Sequence, residues 1–261
     1  MNKKMMIKIA TAIAIIAVVI PPIYLGGKWI EGLITVIAAL AGYEVASLTH
    51  GGQDWPMTIL NFIAIMCIGH VADPTLSLAL AVWLAVLFVI ELVVEKVNSD
   101  FVAYTFLMTT LMVLACRCVL HFYETEGGMV LMIYVCLATF LTDTGAYFFG
   151  VFLGKHKMIP RVSPNKTWEG AIGGYFCGLI GSLLQGYFFV KHVDFSLLIA
   201  GSLLMPIVSQ IGDLAFSSIK RRFGIKDFGN AFPGHGGVYD RIDSLIFTLM
   251  LFNGLMIFWG F

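Results

Sequence analysis

Long apolar runs alternate with short polar breaks along the whole chain. A helix needs about 20 mainly apolar residues to cross a hydrocarbon core of about 30 Å. Glycine, proline or charged residues separate nine such runs, of which the third is short. The predicted spans are 7–25, 29–48, 57–71, 76–94, 101–121, 128–150, 170–190, 195–215 and 244–260. We therefore predict an all-α, polytopic integral membrane protein with about nine transmembrane helices.

The composition agrees with a lipid environment. Hydrophobic residues make up 59% of the 261 residues, charged residues only 12%, and the mean hydropathy is +0.90. Soluble domains carry roughly a quarter charged residues. Nine spans leave no room for a large soluble domain, so we expect the lipid bilayer as a partner and no nucleic acid. The basic N-terminus resembles a signal peptide, but no small-x-small cleavage site follows the apolar run, so we predict an uncleaved first span.

Lysine and arginine are distributed unevenly between the two faces that alternating loops define. The face with the N-terminus and the loops after even-numbered spans carries 13 of the 16 basic residues. Cytoplasmic loops of membrane proteins are enriched in Lys and Arg, so we place this face in the cytoplasm. Its basic residues are Lys3, Lys4, Lys8, Lys96, Lys155, Lys157, Arg161, Lys166, Lys220, Arg221, Arg222, Lys226 and Arg241.

Two loops on this face, 151–169 and 216–243, are longer than a simple connection requires. They carry most of the polar residues that could perform chemistry. We therefore divide the chain into an N-terminal region of spans 1–5, residues 1–121, and a C-terminal catalytic region of spans 6–9, residues 122–261.

The second long loop combines glycines with cations. Gly234, Gly236 and Gly237 allow positive φ and a close approach of the backbone to a ligand, and successive amides in such a turn can bind an anion. Lys220, Arg221, Arg222, Lys226 and Arg241 lie nearby in the sequence, which favours phosphate. The alternative is an ordinary basic loop with a glycine-rich turn. His235 could be a ligand, a phosphate contact or an exposed turn residue.

Three carboxylates accompany these cations. Asp240 and Asp243 are three residues apart at the predicted start of the last span, so they project from one helix face, and Asp213 lies near the end of the preceding span. Mg²⁺ is usually held by one or two carboxylates together with substrate phosphates and water, so we predict a Mg²⁺ site. The alternative for Asp240 alone is a helix N-cap.

The first long loop follows a carboxylate within the sixth span. A charged residue in a membrane span is costly unless it is paired, hydrated or bound to a cation, so Asp143 indicates either function or a pairing with a neighbouring helix. Ser163 and Pro164 fit an N-cap followed by proline at the first helical position, which predicts that the seventh helix begins in this loop. Glu44, Glu91 and Arg117 are further ionisable residues in spans, explained most simply by a Glu–Arg pair between helices.

The run from Ser217 to Asp243 reads S-x-I-K-R, four residues, K-D-x-G, and then F-P-G-H-G-G-V-x-D-R-I-D. It resembles the signature of the bacterial phosphatidate cytidylyltransferase family. The segments from Asp143 to Tyr147 and from Ser163 to Gly170 resemble further motifs of that family, in the expected order. The first 120 residues are similar to the family only in their spans and general character.

The resemblance implies transfer of cytidylyl from CTP to phosphatidic acid, which gives CDP-diacylglycerol and pyrophosphate. It also implies a bacterial inner membrane location, a cytoplasm-facing polar cavity, a homodimer and Mg²⁺ as cofactor, and it leaves open a second, monovalent cation. The implied catalytic residues are Asp213, Lys220, Arg221, Lys226, Asp227, Asp240, Arg241 and Asp243, of which Asp213, Asp240 and Asp243 would hold the metal. The implied substrate-binding residues are Asp143, Ser163, Asn165, Lys166, Gly234, His235, Gly236 and Gly237.

Two other functions remain open at this point. One is a related membrane enzyme that uses CTP, such as a polyprenol kinase or a cytidylyltransferase for an ether lipid. The other is a transporter in which Asp143, Glu44, Glu91 and Arg117 form an ion path. Transporters often have duplicated halves, whereas the polar motifs here cluster in the second half.

Overall fold

A computed structural model of the chain describes residues 3–50, 54–95 and 97–261. Lys96 and the side chains of Lys3 and Lys4, three of the residues assigned to the cytoplasmic face, lie outside this description. The described part forms nine α-helices and two strands. They are α1 (Lys3–Leu25), α2 (Gly27–His50), α3 (Trp55–Gly69), α4 (Asp73–Val93), α5 (Ser99–Glu124), α6 (Gly128–Leu153), β1 (Lys157–Ile159), β2 (Ser163–Thr167), α7 (Trp168–Phe189), α8 (Phe195–Arg222) and α9 (Tyr239–Phe258).

These helices confirm the predicted all-α, polytopic membrane architecture. In the described part of the chain, eight helices are long and apolar enough to cross a membrane. The remaining helix, α3, has 15 residues, which corresponds to about 22 Å at 1.5 Å per residue. It begins at the N-cap Asp54, whose side chain accepts a hydrogen bond from Met57 N at 3.1 Å.

The last two helices extend further than the apolar runs that predicted them. α8 continues past residue 215 to Arg222, and α9 begins at Tyr239 instead of residue 244. The predicted loop 216–243 is therefore too long at both ends. Its cations Lys220, Arg221 and Arg222 form the last turn of α8, where positive charge is favourable to the helix dipole.

A β-hairpin lies between α6 and α7, and it corrects the predicted start of α7. β1 and β2 pair antiparallel, with Ile159 opposite Ser163 and Lys157 opposite Thr167. Ser163 is thus a strand residue and not an N-cap. α7 begins after Thr167, whose hydroxyl accepts from Gly170 N at 3.1 Å. Ser163 is paired with Ile159 in the hairpin, so the hydroxyl that caps α7 is that of Thr167.

The chain folds into two compact units. The first contains Met1–Arg117 and Asp227–Arg241, and the second contains Cys118–Lys226 and Ile242–Phe261. The sequence divides the chain differently, into residues 1–121 and a catalytic region of residues 122–261 that carries the motifs. That division stays a prediction.

In the first unit, α2 packs against both α1 and α3. A Cβ atom at Gly42 would lie 3.0 Å from Thr58 O and Phe62 N, so the small residue permits close contact between α2 and α3. Asn61 Nδ2 donates to Gly42 O at 3.3 Å, and Trp83 Nε1 donates to Thr109 Oγ1 at 2.8 Å. These two buried N–H donors are therefore satisfied by acceptors on neighbouring helices.

In the second unit, α6 and α7 pack closely along a row of glycines on α7. A Cβ atom at Gly174 would lie 2.5 Å from Thr142 O, and one at Gly178 would lie 3.0 Å from Ala138 O. Small residues at such positions let two membrane helices approach backbone to backbone. The contact with α7 therefore holds α6 in place at Thr142, one residue before Asp143.

Candidate active site

In the second unit, Asp143 lies near one lysine and two carboxylates from other helices. Asp143 on α6 is half-buried and lies close enough to Asp213 on α8, Asp243 on α9 and Lys166 on β2 to interact electrostatically with each. Lys166 Nζ lies 2.6 Å from Asp213 Oδ2. The fold thus joins a span residue, a hairpin residue and residues of the C-terminal motif, which are separated by up to 100 positions in the sequence.

Close packing of α8 and α9 supports this cluster. A Cβ atom at Gly212 would lie 3.0 Å from Asp243 O, so the two backbones meet next to Asp213. Ser217 Oγ donates to Asp213 Oδ1 at 3.3 Å, and Asp243 Oδ1 accepts from Ser244 N at 2.8 Å. Asp213 and Asp243 are thereby each oriented by a group on their own helix.

The charge and donor type of the cluster fit a hard divalent cation. The cluster contains three carboxyl side chains and one lysine, so acidic groups outnumber basic ones, and carboxylate oxygens are the ligands that Mg²⁺ prefers. Among the described residues, no three His, Cys, Asp or Glu side chains lie at the spacing of a complete metal site. This is compatible with Mg²⁺ because it takes much of its coordination from substrate phosphates and water. The metal ligands therefore stay a prediction.

The basic end of α8 has a structural role that the sequence did not indicate. Arg221 Nε donates to Val162 O at 3.2 Å, and its Nη1 donates to Ile225 O at 3.1 Å. Arg221 therefore ties α8 both to the hairpin and to the chain that follows the helix. Lys220 is buried, whereas Lys226 is exposed. Their contacts with phosphate stay predictions.

Hydrogen bonds to Glu169 close the base of the hairpin that carries Lys166. Glu169 accepts from the backbone amides of Lys155 and His156 and from His156 Nδ1, the last at 2.5 Å. Asn165 is exposed and Ser163 is half-buried, so both predicted substrate-binding residues are accessible on the strand.

In the first unit, the glycine-rich run forms a tight turn. Phe232 N donates to Gly236 O at 2.9 Å, and His235 N donates to Phe232 O at 2.8 Å. Gly234 and Gly236 have φ values of 77° and 84°, as the turn interpretation expects, whereas Gly237 does not have positive φ. His235 is half-buried and not fully exposed, and in the described part of the chain its Nδ1 has no hydrogen-bond partner.

The first helix of this unit contacts the same turn. Thr11 Oγ1 on α1 donates to Pro233 O at 3.1 Å. A Cβ atom at Gly234 would lie 3.0 Å from Lys8 Cγ, so the aliphatic part of Lys8 runs across the glycine. The start of α1 and the turn therefore lie at the same end of the first unit.

Backbone amides on both sides of the turn donate hydrogen bonds to two carboxylates, Asp240 and Glu44. Asp240 Oδ2 accepts from Phe228 N at 2.7 Å and from Gly237 N at 2.9 Å. Glu44 accepts from Val238 N at 2.6 Å and from Tyr239 N at 3.1 Å. Asp240 lies inside α9 and bonds to amides that precede the helix, so it is not an N-cap. Asp227 and Arg241, at the two ends of this segment, are exposed.

Glu44 and Arg117 do not form the Glu–Arg pair that the sequence suggested. Arg117 Nη1 donates to Val71 O at 2.6 Å, and its Nη2 pairs with Asp73. Glu91 accepts from Ser99 Oγ at 2.6 Å. A buried Glu signals that a partner exists, but the partner of Glu44 is a backbone segment 194 residues away, which no sequence pattern reveals.

Known proteins match the chain over nearly its full length. The sequence model of the cytidylyltransferase family matches residues 6–259. The chain belongs to this family. A phosphatidate cytidylyltransferase of Staphylococcus aureus (strain COL) is 34% identical over 259 residues, which cover 97% of the chain and 99% of that protein. Another of Staphylococcus haemolyticus (strain JCSC1435) is 33% identical over the same shares. One of Staphylococcus epidermidis (strain ATCC 12228) is 45% identical over 139 residues, or 53% of the chain and 54% of that protein.

Proposed function

We infer that this multi-pass membrane enzyme transfers cytidylyl from CTP to phosphatidic acid, giving CDP-diacylglycerol and pyrophosphate for phospholipid synthesis. The observation that carries this inference is the similarity to phosphatidate cytidylyltransferases across 97% of the chain. The cluster of Asp143, Asp213, Asp243 and Lys166 supports it, because a phosphoryl-transfer site has to align and neutralise two anionic reactants.

The reaction needs no protein general base. The phosphate monoester of phosphatidic acid is largely ionised near neutral pH. One of its oxygens forms a bond to the α-phosphorus of CTP, and the bond from that phosphorus to the bridging oxygen of the β-phosphate breaks. The electron pair leaves with pyrophosphate. The protein therefore contributes orientation and charge stabilisation.

We propose metal dependence, with Asp213 and Asp243 as ligands, Asp143 in support and Asp240 as a further ligand. Bound Mg²⁺ would neutralise charge on the reacting phosphates. Lys166, from the hairpin, would contact a phosphate oxygen when substrate displaces it from Asp213. Lys220, Arg221, Lys226, Asp227 and Arg241 would line the triphosphate path, and Ser163, Asn165, Gly234, His235, Gly236 and Gly237 would contact substrate.

We propose that the N-terminus and both motif-bearing segments face the cytoplasm. The 13 basic residues on one predicted face support this orientation. The contact between Thr11 and Pro233 adds a second argument, because it requires an even number of crossings between α1 and the turn before α9. Eight helices, α1–α8, lie between the start of α1 and this turn, and seven of them are long enough to cross a membrane, so we propose that the short α3 crosses as well.

The oligomeric state rests on the family resemblance, and we propose a homodimer. Light scattering of the detergent-solubilised protein, corrected for bound detergent, measures the protein mass directly. A mass of about twice the 28.7 kDa chain is expected, and a monomer mass would contradict the proposal.

The decisive assay supplies purified protein in detergent with CTP and phosphatidic acid. We expect CDP-diacylglycerol and equimolar pyrophosphate, lost on chelation and restored by Mg²⁺, with K⁺ added separately to test a monovalent cation. Parallel reactions with a polyprenol and with an ether lipid acceptor test the related enzymes. Intact CTP with every acceptor would reject nucleotidyl transfer.

A further inference from the structure

Glu44 joins α2 to the start of α9. Its side chain is 1% exposed, and its two oxygens accept hydrogen bonds from consecutive amides, Val238 N at 2.6 Å and Tyr239 N at 3.1 Å. Bonds from backbone amides to a carboxylate are charge-assisted and stronger than bonds between neutral groups. The carboxylate therefore holds the first turn of α9 at a fixed place along α2.

Two glycines make room for this carboxylate. A Cβ atom at Gly237 would lie 2.5 Å from Glu44 Cδ, and one at Gly229 would lie 3.0 Å from Glu44 Cγ. Gly237 does not have positive φ, so its backbone conformation alone does not require glycine. The close approach of Glu44 does require it. The segment is thus shaped around the glutamate on both sides.

The bonds of Glu44 continue those of Asp240. Asp240 draws together Phe228 N and Gly237 N, and Glu44 takes the next two amides, so three consecutive amides end on carboxylates. Glu44 and Asp240 are close enough to interact electrostatically. Two like charges held together are unfavourable, and the four amide donors offset that cost. A hydrophobic residue at position 44 would fill the space without orienting the amides.

We propose that Glu44 is a positioning residue for nucleotidyl transfer, which orients the start of α9 so that Asp240 and Arg241 act on the nucleotide. The proposal rests on the function inferred above. Glu44 touches no substrate in this scheme and acts through the amides of Val238 and Tyr239. Misplacement of a reacting group by about 1 Å can cost about 10²-fold in rate, so a loosened α9 start would lower turnover.

The start of α9 has a second anchor, which separates positioning from folding. The Tyr239 ring is fully buried, and its hydroxyl donates to Met108 O on α5 at 2.9 Å. Loss of Glu44 therefore leaves Tyr239 and Asp240 in place as attachments. We expect a folded protein whose segment around residues 237–240 is more mobile.

The test compares Glu44→Leu, which has similar volume and no acceptor, with Glu44→Gln, which keeps one carbonyl oxygen. We expect Glu44→Leu to lower kcat about 10²-fold with KM for CTP little changed, and Glu44→Gln to lose about tenfold. Hydrogen exchange followed by mass spectrometry should become faster in the peptide covering residues 237–240. The melting temperature should fall by several degrees, because two buried amides lose their acceptor, while the protein stays folded at the assay temperature. Glu31→Leu, at an exposed position of the same helix, is the matched control and should leave each quantity unchanged.

A wild-type kcat for Glu44→Leu, or a loss fully explained by a smaller folded fraction, would overturn the positioning role. A rise in KM alone would also overturn it, because it indicates weaker ground-state binding. Failure of the inferred function has a different signature, since the wild-type protein itself would then form no CDP-lipid.

Discussion

Lys166 Nζ lies 2.6 Å from Asp213 Oδ2 and joins the β-hairpin to α8. The two side chains are 26% and 29% exposed, and partly exposed pairs of this kind contribute about 0–1 kcal/mol to stability. The pair is therefore a weak fold-stabilising contact. Its more informative property is position, since Asp143 interacts with the same ammonium group and Asp243 interacts with Asp143. A lysine in this setting can balance carboxylates or bind an anionic substrate.

Replacement of Lys166 by glutamine should reduce kcat/KM about 10²-fold, because one preorganised cation is lost from a site that binds two anions. The measurement is the initial rate of pyrophosphate release at several concentrations of CTP and phosphatidic acid. Lys157→Gln, in the same hairpin but exposed, is the control and should retain activity close to wild type. Equal losses in the two variants would mean that the hairpin contributes only general positive charge.

Asp213→Asn and Asp243→Asn should each abolish turnover while the protein still inserts into the membrane and purifies. Each change keeps the shape of the side chain and removes one negative charge, so a cation would lose a ligand. Turnover measured over a range of Mg²⁺ concentrations checks this directly, with partial rescue at high Mg²⁺ as the expected sign of a weakened site.

Ser217→Ala is the matched control for Asp213, because the serine donates only one long hydrogen bond, 3.3 Å, to that carboxylate. It should lower turnover no more than severalfold. Wild-type activity in Asp213→Asn and Asp243→Asn would contradict the metal assignment and favour a role in charge balance for the whole cluster.

The spans could be predicted because lipid imposes one dominant requirement, a sufficiently long apolar run. All nine runs correspond to helices of the described chain. The same criterion misplaced the end of α8 and the start of α9, because the cations at residues 220–222 and the carboxylates at 240 and 243 interrupt hydropathy without interrupting the helix. Apolar length indicates where a helix is in lipid, not where its hydrogen bonds end.

The candidate site was only partly readable in the sequence. Asp213 and Asp243 stood out through the motif, and Asp143 through its cost in a span. The approach of Lys166 to Asp213 and Asp143 depends on the hairpin. That hairpin was missed because Ser163-Pro164 has the local pattern of a helix start. Glu44 was left out because its partners are backbone amides, which have no sequence signature.

Arg117→Met should destabilise the fold without changing the chemistry. Arg117 Nη1 donates to the carbonyls of Ile68, Gly69 and Val71, which would all lose a charged donor. A hydrogen bond to a charged group contributes about 2 kcal/mol, so the melting temperature in detergent should fall by several degrees. The kcat of the remaining folded protein should match wild type.

Asp73→Asn is the control for that change. The Asp73 side chain is 90% exposed, so its pair with Arg117 is worth at most about 1 kcal/mol. A larger effect of Asp73→Asn than of Arg117→Met would show that the ion pair, and not the carbonyl contacts, is the main attachment. Loss of turnover in both variants at unchanged stability would instead indicate that Arg117 has a functional role, as in the ion path considered from the sequence.

Gly174→Ala and Gly181→Ala should differ although both lie on α7. A Cβ atom at Gly174 would lie 2.5 Å from the backbone oxygen of Thr142, which cannot move without α6, whereas at Gly181 the obstacle is the end of the flexible Leu141 side chain. Alanine favours a helix over glycine by about 1 kcal/mol, so Gly181→Ala should be neutral or slightly stabilising.

Overpacking at Gly174 should cost about 1–3 kcal/mol and shift α6 next to Asp143. We therefore expect Gly174→Ala to lower both the melting temperature and kcat, and Gly181→Ala to change neither appreciably. If both variants keep wild-type turnover while only Gly174→Ala melts earlier, then the α6–α7 contact holds the fold but does not set the position of Asp143. Parallel losses in both variants would show that glycine on α7 is needed for flexibility instead of close packing.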